Sequence, residues 1–62
     1  MTRPMKPDDL RAIRHSIGKS QAKLAELLGV HTNTIQNWEA GRSRIPKIVA
    51  EYMRKFQLIT TL

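Results

Sequence analysis

Thr32, Asn33, Gln36 and Asn37 are neutral side chains that both donate and accept hydrogen bonds. Their spacing of i, i+1, i+4 and i+5 gathers them on one side of a helix, where residues three and four apart are neighbours. Exposed helix faces ordinarily favour Glu and Lys, and this one carries neither before Glu39. Asn or Gln can bond N6 and N7 of adenine together, and a threonine methyl can pack on thymine. The chemistry on offer is therefore the reading of base edges. Covalent chemistry finds no support. His15 and His31 are the only histidines, cysteine is absent, and no carboxylate stands at ligand spacing from either ring. Ser16, Ser20 and Ser43 have no base placed to activate them, and no glycine-rich phosphate loop precedes a helix. No catalytic residue, metal or cofactor is predicted, and the chain is not expected to be an enzyme.

These side chains need elements to hold them. Residues 1–6 form a short basic arm without periodicity, expected to be flexible. Pro7 suits a first helical position and Asp8 and Asp9 suit its positive pole. Leu10, Ile13 and Ile17 then recur with helical period up to Gly18, predicting a first helix over 8–17. Ser20 is a good N-cap for a second helix over 21–28, which Gly29 ends. A third helix follows in TNTIQNWEA, with Ile35 and Trp38 turned away from the polar edge, and Gly41 closes it. Residues 42–45 are a basic loop. Pro46 can open a fourth helix striped by Ile48, Val49, Tyr52, Met53 and Phe56. The β-branched ending 57–62 reads as a tail, a short strand or an extra turn. No alternating segment is long enough for a sheet, so the fold class is all-α, with four to five short helices in a single domain.

Residues 21–40 form one unit. Two short helices can cross closely only if a small residue sits at the crossing, as Ala25 does, and a glycine makes the turn, as Gly29 does. Val30, Ile35 and Trp38 must then anchor the second helix against Leu24 and Leu28. Helices joined in this way at about 90–120° form a helix-turn-helix. Trp38 belongs to the core rather than to a stacking platform.

Composition agrees. The 62 residues carry 11 Lys and Arg against 5 Asp and Glu, a net charge of +6, and the sequence pI is near 10.6. A basic domain of this size implies a polyanionic partner, nucleic acid before an anionic membrane surface. A membrane role would need a basic face and a bare apolar face on one helix, whereas these charges are dispersed. No apolar run approaches the ~18 residues of a membrane span, and 1–6 is too short and polar for a signal peptide. The expected setting is a reducing cytoplasm.

The stretch SQAKLAELLGVHTNTIQNWEAG resembles the helix-turn-helix of the phage repressor/Cro-type (XRE-type) transcriptional regulators. Their pattern is Ser-Gln, Leu-Ala, Leu-Gly-Val, a polar cap, Thr-Ile or Thr-Val, and Trp-Glu-x-Gly. The likeness runs over about 10–57. His31 stands where the family usually has a Ser or Thr cap, and the part after Gly41 is shorter than the family's usual two-helix ending. The resemblance implies a lambda-repressor-like domain of bacterial or phage origin whose third helix enters the major groove of double-stranded DNA. Thr32, Asn33, Gln36 and Asn37 would read bases. Gln21, at the start of the second helix, would contact the backbone and support the recognition helix. Thr34 and His31 would join it on the backbone, His31 capping the third helix or touching phosphate. Arg42, Ser43, Arg44 and Lys47 would line the sugar-phosphate rail at the far end, and Lys19 and Lys23 at the near end. The resemblance also implies an ion pair between Arg14 and Glu39, beside the structural residues Ala25, Gly29, Ile35 and Trp38.

The expected function is a sequence-specific DNA-binding regulator, a repressor that occupies a palindromic operator as a homodimer. Its interface would draw on the apolar residues of the fourth helix with Leu58, Ile59 and Leu62. The alternative is an antitoxin-like or adaptor module that holds a protein partner through its C-terminal region, with DNA binding secondary.

Overall fold

In the computed structural model, residues 4–61 are described, residues 57–61 by their helical backbone alone. Four α-helices follow one another: α1 (Pro7–Ser16), α2 (Gln21–Leu28), α3 (Thr32–Glu39) and α4 (Lys47–Thr61). There is no strand among the described residues. The first two helices start where local chemistry answers for free N–H groups. At α1, Asp9 Oδ2 accepts the backbone N–H of Lys6 at 3.2 Å, and Pro7 occupies the first turn. At α2, the Ser20 hydroxyl accepts the N–H of Lys23 at 3.1 Å.

The ends are equally local. Gly29 adopts φ 72°, ψ 33°. This left-handed turn lets Val30 N–H return to the Ala25 carbonyl at 2.9 Å and Gly29 N–H to that of Glu26 at 3.3 Å, the paired bonds of a Schellman cap. The same closure follows α1, where Lys19 N–H reaches the Arg14 carbonyl, and α3, where Arg42 N–H reaches that of Asn37.

The core is Leu10 and Ile13 of α1, Leu24 and Ala25 of α2, Ile35 and Trp38 of α3, and Ala50 and Met53 of α4, joined by Met5 and Ile45. Ile17, Leu28, Val30, Val49 and Phe56 pack against it half-buried. α2 packs chiefly on α3, and α1 packs on both α3 and α4. The Cα radius of gyration, 10.8 Å, matches the ~11 Å of a folded chain of this length.

One expectation changes and an open one narrows. The segment before α1 is not wholly a free arm: Met5 is buried in the core, because an apolar side chain so close to α1 gains more from the core than from water. Residues 1–3 lie outside the described residues. α4 begins at Lys47 and continues to Thr61, so of the three readings of the ending the backbone of 57–61 follows the added helical turn, not the strand or the loose tail. Intrahelical hydrogen bonding overrides the modest β preference of Ile59, Thr60 and Thr61. The interface expected at Leu58, Ile59 and Leu62 lies outside the described side chains. Elsewhere the helix limits differ from those predicted by a residue or so, the ordinary looseness of helix ends.

Candidate nucleic-acid interface

The site grows from the crossing of α2 and α3. Ala25, 2% exposed, presents only a methyl on α2, the helix that packs chiefly on α3. Ile35 and Trp38 hold α3 from the core side, so its opposite edge must face out. Asn33 and Gln36 are exposed there, while Thr32, Thr34 and Asn37 are half-buried on the flanks. Asn37 also acts through its backbone, its carbonyl accepting the N–H groups of Arg42 at 2.9 Å and Ser43 at 3.4 Å.

Those bonds start the loop that carries the basic residues. Ile45, 6% exposed, pins this loop to the core, and with both ends tied Arg42, Ser43, Arg44 and Lys47 stand in water. The side chains of Arg42, Arg44 and Lys47 have no hydrogen bond or ion pair within the described residues. Lys19 and Lys23 are exposed around the start of α2, which Gln21 ties to the Glu39 end of α3 rather than to the beginning of that helix where the sequence had set them, and Lys23 lies 3.8 Å from Glu26. A pair so exposed holds little energy and leaves the ammonium available.

One polar cluster is buried beneath this surface. Arg14 of α1 donates from Nε to Glu39 Oε2 at 2.7 Å and from Nη2 to Oε1 at 3.1 Å, a two-pronged pairing. Its Nη1 donates to the Lys19 carbonyl at 3.0 Å. Gln21 Nε2, from the first turn of α2, donates to Glu39 Oε1 at 3.2 Å. Arg11 Nη2 donates to the Glu39 carbonyl at 3.0 Å. One carboxylate at the end of α3 thus ties α1 and α2 to α3. Burial alone pushes the Glu39 carboxyl up. The hydrogen bonds from Arg14 and Gln21, with the charges of Arg14 and Arg11, outweigh it and hold the group below its ordinary value.

Two predicted roles are modified. His31 occupies the N-cap position of α3 but its side chain caps nothing. Its ring is exposed, and only its carbonyl serves the turn, accepting Thr34 N–H at 2.9 Å. Gln21 is not a free first-turn amide, since one N–H is committed to Glu39 and its Oε1 and second N–H remain. Arg11 was not singled out in the sequence, although its i, i+3 spacing from Arg14 was a legible sign that both guanidinium groups share one face of α1. Met5 and Ile45, which seat the two polar segments, carried no such sign.

Among the described residues no group of His, Cys, Asp or Glu gathers that could hold a metal ion, and no helix is long and apolar enough to cross a membrane. What the surface offers is a hydrogen-bonding helix edge framed by cations, which fits a duplex groove and its phosphate rails. Among curated proteins none matches the chain. A family model described as helix-turn-helix matches residues 10–51, from the first core leucine of α1 into α4, so that both crossing helices and the Arg14–Glu39 cluster lie within it. The chain belongs to the helix-turn-helix family of Cro/C1 (XRE) type and is a DNA-binding regulator.

Proposed function

We infer that the protein is a repressor that binds a palindromic operator as a homodimer, laying α3 in the major groove of each half-site. The observation that carries this is the exposed edge of α3, where Asn33 and Gln36 stand clear of the core with amides suited to adenine. Thr32 and Asn37 flank them as further base-reading groups. Arg42, Ser43, Arg44 and Lys47 meet phosphates beyond the end of the helix, Lys19, Lys23 and the remaining polar atoms of Gln21 meet them beside the start of α2, and Thr34 and His31 meet them at the start of α3. Repression by occupancy needs no chemistry beyond this, because a protein seated on an operator excludes the polymerase.

A single helix in a groove buries little surface, and pairing two protomers multiplies affinity through effective concentration. Two-fold symmetry would set the half-sites about one turn, roughly 10 bp, apart. The test is selection from random duplex DNA with the full chain. The expected product is a palindrome with that spacing. Recovery of single half-sites would remove the dimer, and recovery of no consensus would remove sequence reading.

A further inference from the structure

The large apolar side chains exposed among the described residues are Leu27 (45%), Ile48 (76%) and Tyr52 (37%). All three line one open groove of about 330 Å³ between the end of α2 and the start of α4, with Leu28 and Val49 as its floor. None belongs to the α3 edge or to the basic loop. Tyr52 is held in place by Phe56, their rings edge to face at 5.1 Å.

Charge singles out this face. On a chain of net charge +6 most surfaces repel a second copy. Glu39 is buried and Asp8 and Asp9 sit in the first turn of α1. The remaining acids are Glu26, which precedes Leu27, and Glu51, which lies between Ile48 and Tyr52 in sequence. Lys47, Glu51 and Lys55 are exposed at i, i+4 and i+8, a lysine–glutamate–lysine row bordering the Ile48–Tyr52 stripe. Two such rows run antiparallel can set each Glu51 against a lysine of the other chain. The face is apolar at its centre and complementary to itself at its edge, as a two-fold interface requires.

We propose that this groove seats a second copy of the chain, Ile48 of each protomer packing between Leu27 and Tyr52 of the other, with Glu51 paired to Lys47 or Lys55 across the axis. The proposal specifies the contact of the dimer inferred above and rests on that reading. It places the interface on the α2–α4 groove, away from the last turn of α4.

Sedimentation equilibrium of the full chain without DNA tests it, beside binding to a duplex holding one half-site. Ile48→Glu is expected to weaken association about a hundredfold, since two copies of the side chain leave the interface. Its helical signal and melting temperature should stay as in the wild type, because Ile48 is exposed. Glu51→Lys should also weaken association, and adding Lys47→Glu and Lys55→Glu should restore it. Half-site binding by Ile48→Glu should match the wild type. A wild-type chain monomeric at every concentration overturns the proposal, as does a dimer that both Ile48→Glu and Glu51→Lys leave intact. Loss of half-site binding by the wild type would instead remove the DNA reading and leave the interface standing.

Discussion

Glu39 sits where a carboxylate is poorly placed, at the negative pole of α3 and 5% exposed. It stays ionised because Arg14 grips both oxygens and Arg11 and Gln21 add further donors. With its folded value lowered, the charged group adds stability that is complete above the unfolded carboxyl value of ~4.3 and is lost as pH falls through the lower folded value. Glu39→Gln should cost about 1.5–3 kcal/mol at neutral pH, the range for hydrogen bonds to a charged partner. In urea titrations that gap should close as acid protonates the wild-type carboxyl. A gap unchanged down to about pH 2 would mean the pair carries no pH-linked stability. The α3 edge answers to a different measurement. Asn33 and Gln36 are exposed and hold nothing in the fold, so Asn33→Ala or Gln36→Ala should leave melting unchanged. Each should cost about 1–3 kcal/mol on the selected site and little on random duplex. Equal losses on both sequences would assign these amides to the backbone.

At the scale of elements, the α2–α3 crossing depends on two residues chosen for what they lack. Ala25 has no side chain beyond Cβ, so Ala25→Leu forces extra atoms into the packed crossing and should destabilise the fold by about 1–3 kcal/mol. Gly29 has no Cβ at all. An added one would meet nothing within 4 Å, so Gly29→Ala isolates the backbone cost of a left-handed residue, about 1–2 kcal/mol. Chemical denaturation reads both, and a wild-type midpoint for either would misplace the turn. Both positions were legible before any coordinates, because small residues between apolar runs leave few alternatives. The helices were legible for the same reason: Leu24, Ala25 and Leu28, or Ile35 and Trp38, declare a face by spacing alone. The places of Met5 and Ile45 and the partner of Arg11 were not. Their roles arise from segments far apart in sequence, as when Arg11 meets a carbonyl at position 39, and no local period encodes such a meeting. The groove at Leu27, Ile48 and Tyr52 was hidden too, since the period of α4 shows that the helix is apolar without showing which part of the stripe the core leaves uncovered.

For the molecule as a whole, base contacts and charge separate by their response to salt. The cations of the 42–47 segment are held out by two anchors, the Asn37 carbonyl and Ile45, and on the proposed reading they would reach phosphate without reorganising the core. Each phosphate contact releases condensed counterions, and the slope of log K against log salt falls by about 0.9 for each contact made on B-DNA. Removing one cation should therefore flatten that slope while leaving sequence preference intact, the reverse of what Asn33→Ala should do. Arg44→Gln, measured on one half-site duplex across a salt series, should reduce the slope by about 0.9 and weaken specific and random DNA alike. On a full palindrome bound by two protomers the reduction should be about twice as large. A slope unchanged by Arg44→Gln would place that guanidinium off the phosphate rail. A loss confined to the selected sequence would move it from the rail into the groove, and the reading surface would then extend past the end of α3 into the loop.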